Sequence, residues 1–233
     1  MSILKRILKV ILFIHLFLVI ALLFSYCSLK KFSNHAYETA KRNKPYDVII
    51  VPGVPYEKEN TTSVLKMRML WAKHLYDSGF TKNIIFSGSS VYNPFVEGKA
   101  MKVIADSLGI PASHTFAEVT AEHSTENIYY SWKMAKAMHF TKVAVATDPF
   151  QAILLRSFTK KYCPGVDMIP IVMGTLDLDH RLLPVVDTTS FYNTTFVSIR
   201  EREGFWKRFS GTRGRRIKDE IKAEEQLQKE NTR

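Results

Sequence analysis

Two glutamates carry the strongest hint of chemistry. Glu97 and Glu126 each fall in or near the first turn of a helix expected from the sequence, and each follows a loop of small polar residues. Carboxyl groups facing one cleft can exchange protons with a ligand or hold a divalent ion. An acidic residue in a first turn is also stabilised by the helix dipole, by roughly 0.3–1 kcal/mol, with no catalysis involved. On residue types alone the two readings weigh evenly. The loops after the expected strands supply the rest of a polar site: Gly53 and Gly88 would allow close backbone approach, Ser87, Ser89 and Thr147 offer hydroxyls, and Asp148 follows at once. Free amides at helix N-termini nearby suit a phosphate or carboxylate. Each glycine or serine taken singly is as well explained as a turn former. Asp177, Asp179 and His180 are metal-ligand types in a short stretch, but no second cluster lies at ligand spacing. They read as a solvated loop, and no metal site is expected. Neither GxGxxG nor GxxxxGK[ST] occurs, so an ordinary nucleotide cofactor is not indicated and the cofactor is left unassigned.

Those residues can converge only if the elements carrying them share one polarity. Residues 47–52 form a short, nearly continuous apolar run ending in Pro52-Gly53, as expected for a strand buried on both faces. Thr61 or Thr62 can cap a helix with Leu65, Met69, Ala72 and Tyr76 on one face and Gly79 at its end. Further strands are expected over 83–87, 115–119, 142–147 and 168–173, and helices over 95–108, 124–138 and 150–162, with a closing helix over 191–209. Strands alternating with helices through short connections predict right-handed crossovers and a mainly parallel sheet covered on both faces, an α/β sandwich of three layers. In such sheets ligands bind beyond the carboxyl ends of the strands, where the loops named above gather.

Residues 10–29 are uncharged between Lys9 and Lys30, and about 20 residues at 1.5 Å each match a hydrocarbon core of roughly 30 Å. The run is longer than the apolar part of a secretion signal and lacks a small-x-small cleavage site. Tyr26 precedes Cys27 where a lipobox needs a small residue, so the segment reads as an uncleaved single-pass anchor in contact with membrane lipid. Lys5, Arg6 and Lys9 on one side compete with Lys30, Lys31, Lys41 and Arg42 on the other, which leaves orientation open. The chain divides into an anchor over 1–30, a polar stalk over 31–46, an α/β domain over 47–209 and a charged tail over 210–233. In the tail, Ile217, Ile221 and Leu227 make a thin apolar stripe with nothing to supply a core. The net charge of +11 concentrates near the N-terminus and over 200–218, a distribution that fits acidic lipid head groups better than nucleic acid. Cys27 sits at the end of the apolar run, far from a natural pairing with Cys163, so no disulfide is expected.

The order of Asp47, Pro52-Gly53, Arg68 and Ala72, Ser87-Gly88, Glu97, Gly109-Ile110-Pro111, Glu118, Ser124-Thr125-Glu126-Asn127 and Val145-Ala146-Thr147 resembles the YdcF, SanA and ElyC family of bacterial envelope proteins. The similarity spans about 47–162, and its most specific part is the hydroxyl-x-Glu-Asn signature at 124–127. The resemblance implies a Rossmann-like domain behind one N-terminal transmembrane helix in the bacterial inner membrane, facing the periplasm, with a role in envelope integrity or peptidoglycan metabolism. It also implies a polar site of Arg68, Ser87, Gly88, Glu97, Glu126, Asn127 and Thr147. The family commonly has a histidine shortly after the fourth strand with an arginine three residues on; here Gln151 and Leu154 stand instead, with Arg156 beyond. Glutamine cannot shuttle a proton near neutral pH. His123, which reads as an exposed loop residue, is the one nearby candidate to replace that histidine. Two functions follow: binding or conversion of a polar, small anionic envelope intermediate clamped by Arg68 and loop amides, or a non-catalytic anchored module recruiting envelope partners through its basic tail.

Overall fold

The computed structural model describes residues 3–57, 63–176 and 183–231. Thr61 and Thr62, and the Asp177, Asp179 and His180 cluster, lie outside the described residues.

Each expected strand forms, and each is short: β1 (Val48–Val51), β2 (Ile84–Ser87), β3 (Thr115–Glu118), β4 (Val143–Thr147) and β5 (Asp167–Pro170). They pair side by side in the order β3-β2-β1-β4-β5, all parallel, with Ile50 of β1 level with Ile85 of β2 and Val145 of β4. Parallel pairing requires crossovers, which the helices α2 (Ser63–Asp77), α3 (Glu97–Ser107), α4 (Ser124–Ala137) and α5 (Pro149–Tyr162) provide. Alternate strand residues point to opposite faces. Ile49, Val51, Ile84 and Phe86 pack with Leu65, Met69 and Trp71 of α2 and Met101 and Ile104 of α3. Val48, Ile50, Ile85, Val143 and Val145 pack with Ile128 of α4 and Leu155 and Phe158 of α5. A carboxylate sets the level of the two central strands: Asp47 accepts from the backbone amides of Lys142 and Thr141, each at 2.8 Å, and these bonds hold its carboxyl below the usual range.

The N-terminal segment is one unbroken helix, α1 (Ile3–Asn43). It is long and apolar enough to cross a membrane, and the large hydrophobic side chains from Ile7 to Phe24 have no protein cover. The polar stretch expected to be a stalk is instead docked into the domain. Ser33 and Ala40 are buried, and the Tyr37 ring lies 5.5 Å from that of Trp71 and 5.3 Å from that of Phe80. Residues 33, 37 and 40 share one helical face, and two of the three are small enough to let the helix lie close. Tyr26, Leu29 and Ser33 line a cleft with Phe150, Ile171 and Met173, where the strands end; Ala36, Thr39 and Ala40 line another with Cys163, Val166 and Asp167, where β5 begins. The helix therefore runs antiparallel to β5, and its bare apolar part leaves the domain beyond the strand ends.

The closing helix expected over 191–209 is broken. Phe191 ends a single turn and is buried against Tyr56 and Phe95, and Tyr192 forms a bridge with Phe95. Asn193 accepts the Thr195 amide and hydroxyl, Ser198 caps the short α6 (Ile199–Arg202), and Gly204 starts α7 (Phe205–Thr212). These Asn, Ser and Gly residues offer the backbone local alternatives to a continuous helix. The charged tail also departs from expectation: in α8 (Arg215–Asn231), Ile217 is fully buried in the cluster formed with α4 and α5. Ile217→Ala is expected to cost about 2–4 kcal/mol in urea unfolding, whereas Leu227→Ala, on the exposed part of the same helix, stays within about 0.5 kcal/mol.

Candidate functional site

Helix α3 presses its N-terminus directly onto the ends of β2 and β3. A Cβ on Gly98 would lie 2.5 Å from the Glu118 carbonyl oxygen and 2.8 Å from that of Phe86, so only glycine allows this approach. The first amides of α3 are taken up by the preceding loop, Glu97 N–H donating to Ser89 O and Gly98 N–H to Gly88 O. The Glu97 carboxyl is thereby laid across two glycines. A Cβ on Gly53 would stand 2.2 Å from its Oε2, and one on Gly88 2.7 Å from the same atom; Gly88 has φ of +134°, a backbone conformation side chains rarely adopt. Glu97 is 5% exposed, and among the described residues its carboxyl takes the Arg68 charge but no hydrogen bond. Burial pushes its pKa up to about 8, against the opposing pull of the Arg68 charge.

Three polar networks surround this group. On the β2–β3 side, Ser87 Oγ lies 2.5 Å from Glu118 Oε2 and 3.0 Å from Asn127 Oδ1. A hydroxyl has one proton, so Ser87 serves one of these oxygens at a time, and the contact to Glu118 is the shorter. Glu118 is itself fixed by the Thr120 amide, at 2.6 Å, and the Ala121 amide. On the β1–β4 side, Arg68 is buried and donates to the Pro52 and Gly53 carbonyls and to Asp148, at 2.7 Å. Asp148 caps α5 through the Gln151 amide, and the Thr147 hydroxyl donates to the Gln151 side-chain oxygen.

The third network lies under the C-terminal helices. Glu126 is completely buried, accepts the Glu122 amide at 2.9 Å and pairs with Arg216 of α8 at 3.2 Å. Burial raises its pKa, opposed by that amide and by the His123 and Arg216 charges. Arg216 also reaches Glu122, which Arg202 pairs at 2.7 Å. His123 is buried, not exposed as the sequence suggested, because Gly211 leaves no Cβ to displace its ring; its Nε2 lies 3.3 Å from Glu203.

The arrangement opens as a small cleft of 170 Å3 lined by Gly53, Tyr92, Glu97, His123, Ser124 and Asn127 among others. Of the sequence candidates, Gly53, Glu97 and Asn127 line it directly, and Gly88 and Ser87 lie immediately beneath them. Glu126 does not line this cleft; its carboxyl turns to α8, so the structure does not bring the two glutamates to one proton-transfer position. Arg68, Thr147 and Asp148 are tied to one another and to Gln151 beside the cleft. With both terminal nitrogens of Arg68 engaged on the Pro52, Gly53 and Asp148 oxygens, it staples the loops after β1 and β4. The Ser89 amide is spent on the Ala121 carbonyl and the Gly88 amide on the Glu118 carbonyl, so neither is free for an anion. The first amides of α4, by contrast, have no side-chain cap, and Ser124 opens onto the cleft.

No family model, curated protein or solved structure matches the chain. The chemistry rests on the side chains in place. Among the described residues no group of three His, Cys, Asp or Glu side chains is set to hold a metal ion. What the cleft does hold is a buried, protonatable carboxyl beside helix amides, an amide side chain and a histidine, a set able to donate hydrogen bonds to an anion and to exchange a proton with it.

Sequence reasoning missed the partners supplied by the C-terminal segment, Glu203, Gly211 and Arg216. The one available signal was the Gly211 and Gly214 pair just before Ile217: a Cβ on Gly214 would stand 2.4 Å from the Phe158 ring. Gly53→Ala is expected to destabilise the fold by about 1–3 kcal/mol, since its Cβ would meet both Glu97 Oε2 and the Ser87 carbonyl at 2.4 Å or less. Adding Glu97→Ala should recover part of that loss and no more, because the Ser87 carbonyl remains; full recovery in thermal unfolding would mean the backbone clash is relieved some other way.

Proposed function

We propose that the chain is a membrane-anchored envelope protein with a Rossmann-like domain of the YdcF, SanA and ElyC type. On this reading the domain stands on the periplasmic side of the bacterial inner membrane and binds or acts on a small polar, anionic envelope intermediate in a peptidoglycan-related or envelope-integrity role. The observation that carries the reading is Glu97, a nearly buried carboxyl at a cleft mouth with its pKa raised to about 8. Such a group is uncharged at neutral pH, so it does not repel an anion and can hand it a proton or a hydrogen bond. The Arg68 charge behind it then stabilises the carboxylate left after transfer. Ser124 and the α4 amides, with Asn127, supply donors for the anion's oxygens.

The Gln151 side chain, engaged by Thr147, takes no part in proton transfer, and His123 is the histidine that the cleft offers in its place. The start of the tail is packed into the domain through Gly211, Arg216 and Ile217, so a recruiting surface on the second reading lies on the exposed remainder of α8. Truncation at Gly211 would therefore disturb the cleft as well as any partner surface.

Glu97 sets a pH signature. Its folded-state pKa lies above the ordinary value of 4.5, so its contribution to stability is complete below about 4.5 and is lost as pH rises through about 8. Wild-type stability should fall by up to about 1.4 kcal/mol per pH unit across that window from this group alone. Glu97→Gln should remove that slope in urea unfolding measured from pH 5 to pH 9, a range of about four units. An unchanged slope would show that Glu97 is not held protonated. For binding, the full chain in detergent is tested by thermal shift against inorganic phosphate, sugar phosphates and nucleoside diphosphates. A true ligand at 100 times its Kd stabilises by about 2.7 kcal/mol, and Asn127→Leu should abolish the shift. A panel that leaves the melting temperature unmoved would count against an anion site.

A further inference from the structure

We propose that the strand-end rim of the domain is a lipid-contact surface, seated in the headgroup layer of an anionic bilayer with the Glu97 cleft opening toward that layer. The proposal rests on the reading of α1 as a membrane anchor and adds which face of the domain meets the membrane and through which residues.

The helix fixes the geometry. α1 is continuous, its last third is docked antiparallel to β5, and its apolar part projects beyond the strand ends. The uncharged run ends at Leu29, and Tyr26 and Leu29, in its last turn, line a cleft together with Phe150 and Met173 of the domain. No spacer separates bilayer from domain, so a membrane that covers the apolar run up to Leu29 brings these rim side chains to its surface.

The chemistry of the rim agrees. Phe150, Leu154 and Met173 are 66%, 63% and 51% exposed, and on α7 Phe205, Trp206 and Phe209 are exposed as well. Helix α7 packs over the start of α4, with Thr125 bonded to Gly211, so it belongs to the same strand-end edge; Thr212 lines the Glu97 cleft, and Phe209 shares a groove with Leu154 and Gln151. Aromatic side chains in company with cations are what the interfacial layer accepts. Lys30, Lys31, Lys207 and Arg213 are all exposed here, and the Arg213 guanidinium lies 4.7 Å from the centre of the Phe209 ring. This charge suits anionic headgroups.

The test uses the full-length chain in vesicles of equal parts phosphatidylcholine and phosphatidylglycerol, carrying lipid brominated near the headgroup. Trp71 is fully buried and Trp132 half-buried, so the Trp206 signal is obtained by subtracting the emission of Trp206→Phe. The expected result is a blue-shifted Trp206 emission, quenched by the brominated lipid and protected from acrylamide in water, with weaker quenching in pure phosphatidylcholine. Water-like emission open to acrylamide, in protein that still floats with the vesicles, overturns the lipid-facing rim and leaves the anchor intact. Shielding from acrylamide without lipid quenching assigns the face to a protein neighbour and overturns it equally, and equal quenching in both lipids removes the preference for anionic headgroups. Failure to float with vesicles would instead defeat the anchor itself.

Discussion

No side-chain carbon fits between the start of helix α3 and the ends of β2 and β3 or the loops that leave β1 and β2. Gly53, Gly88 and Gly98 all face backbone or the Glu97 carboxyl at distances that a methyl group could not share. This steric constraint sets the position of α3, and α3 sets Glu97. Once placed there the carboxyl is mostly withdrawn from water, and its raised pKa follows from that burial, opposed by the Arg68 charge. Neighbouring groups are arranged around that fixed point: Arg68 braces the loops below, Ser87 and Asn127 stand at one side, and His123 and Ser124 close the far wall.

Two kinds of polar burial coexist within one edge of the sheet. Glu118, Glu126 and Asp148 are charge-accepting groups with donors from backbone amides, hydroxyls or arginines, and they hold loops and helices in register. Among the described residues none donates to the Glu97 carboxyl. A buried carboxyl in the first set stabilises the fold, whereas one without donors stays neutral and available. The distinction separates two glutamates that occupy equivalent places at helix starts and look alike in sequence.

Local sequence does not tell the two apart. The five strands, their common direction and the gathering of Gly53, Ser87, Glu97 and Asn127 at one edge follow from apolar runs and turn residues, because local pattern and crossover geometry dictate them. Which way Glu126 turns could not follow, since it depends on Arg216, 90 residues away along the chain. The burial of His123 depends likewise on the missing side chain of Gly211. The expected helix over 191–209 failed because Asn193, Ser198 and Gly204 each divert the backbone locally. The packing of Ser33, Tyr37 and Ala40 escaped notice because two of the three residues carry little hydrophobic signal and contribute by being small.

The unbroken course of α1 through Tyr37 and Ala40 makes it a rigid lever. A domain hung on a flexible tether can swivel and sweep the space above its anchor; one welded to its own helix cannot. On the proposed reading of the apolar half as a membrane anchor, any tilt that a thicker or thinner bilayer imposes on it is passed without slack to the sheet, and the attitude of the strand ends changes by the same angle. The reach of an anchor proposed for this helix is then set by the few residues between Leu29 and Ser33, with no loop to lengthen it.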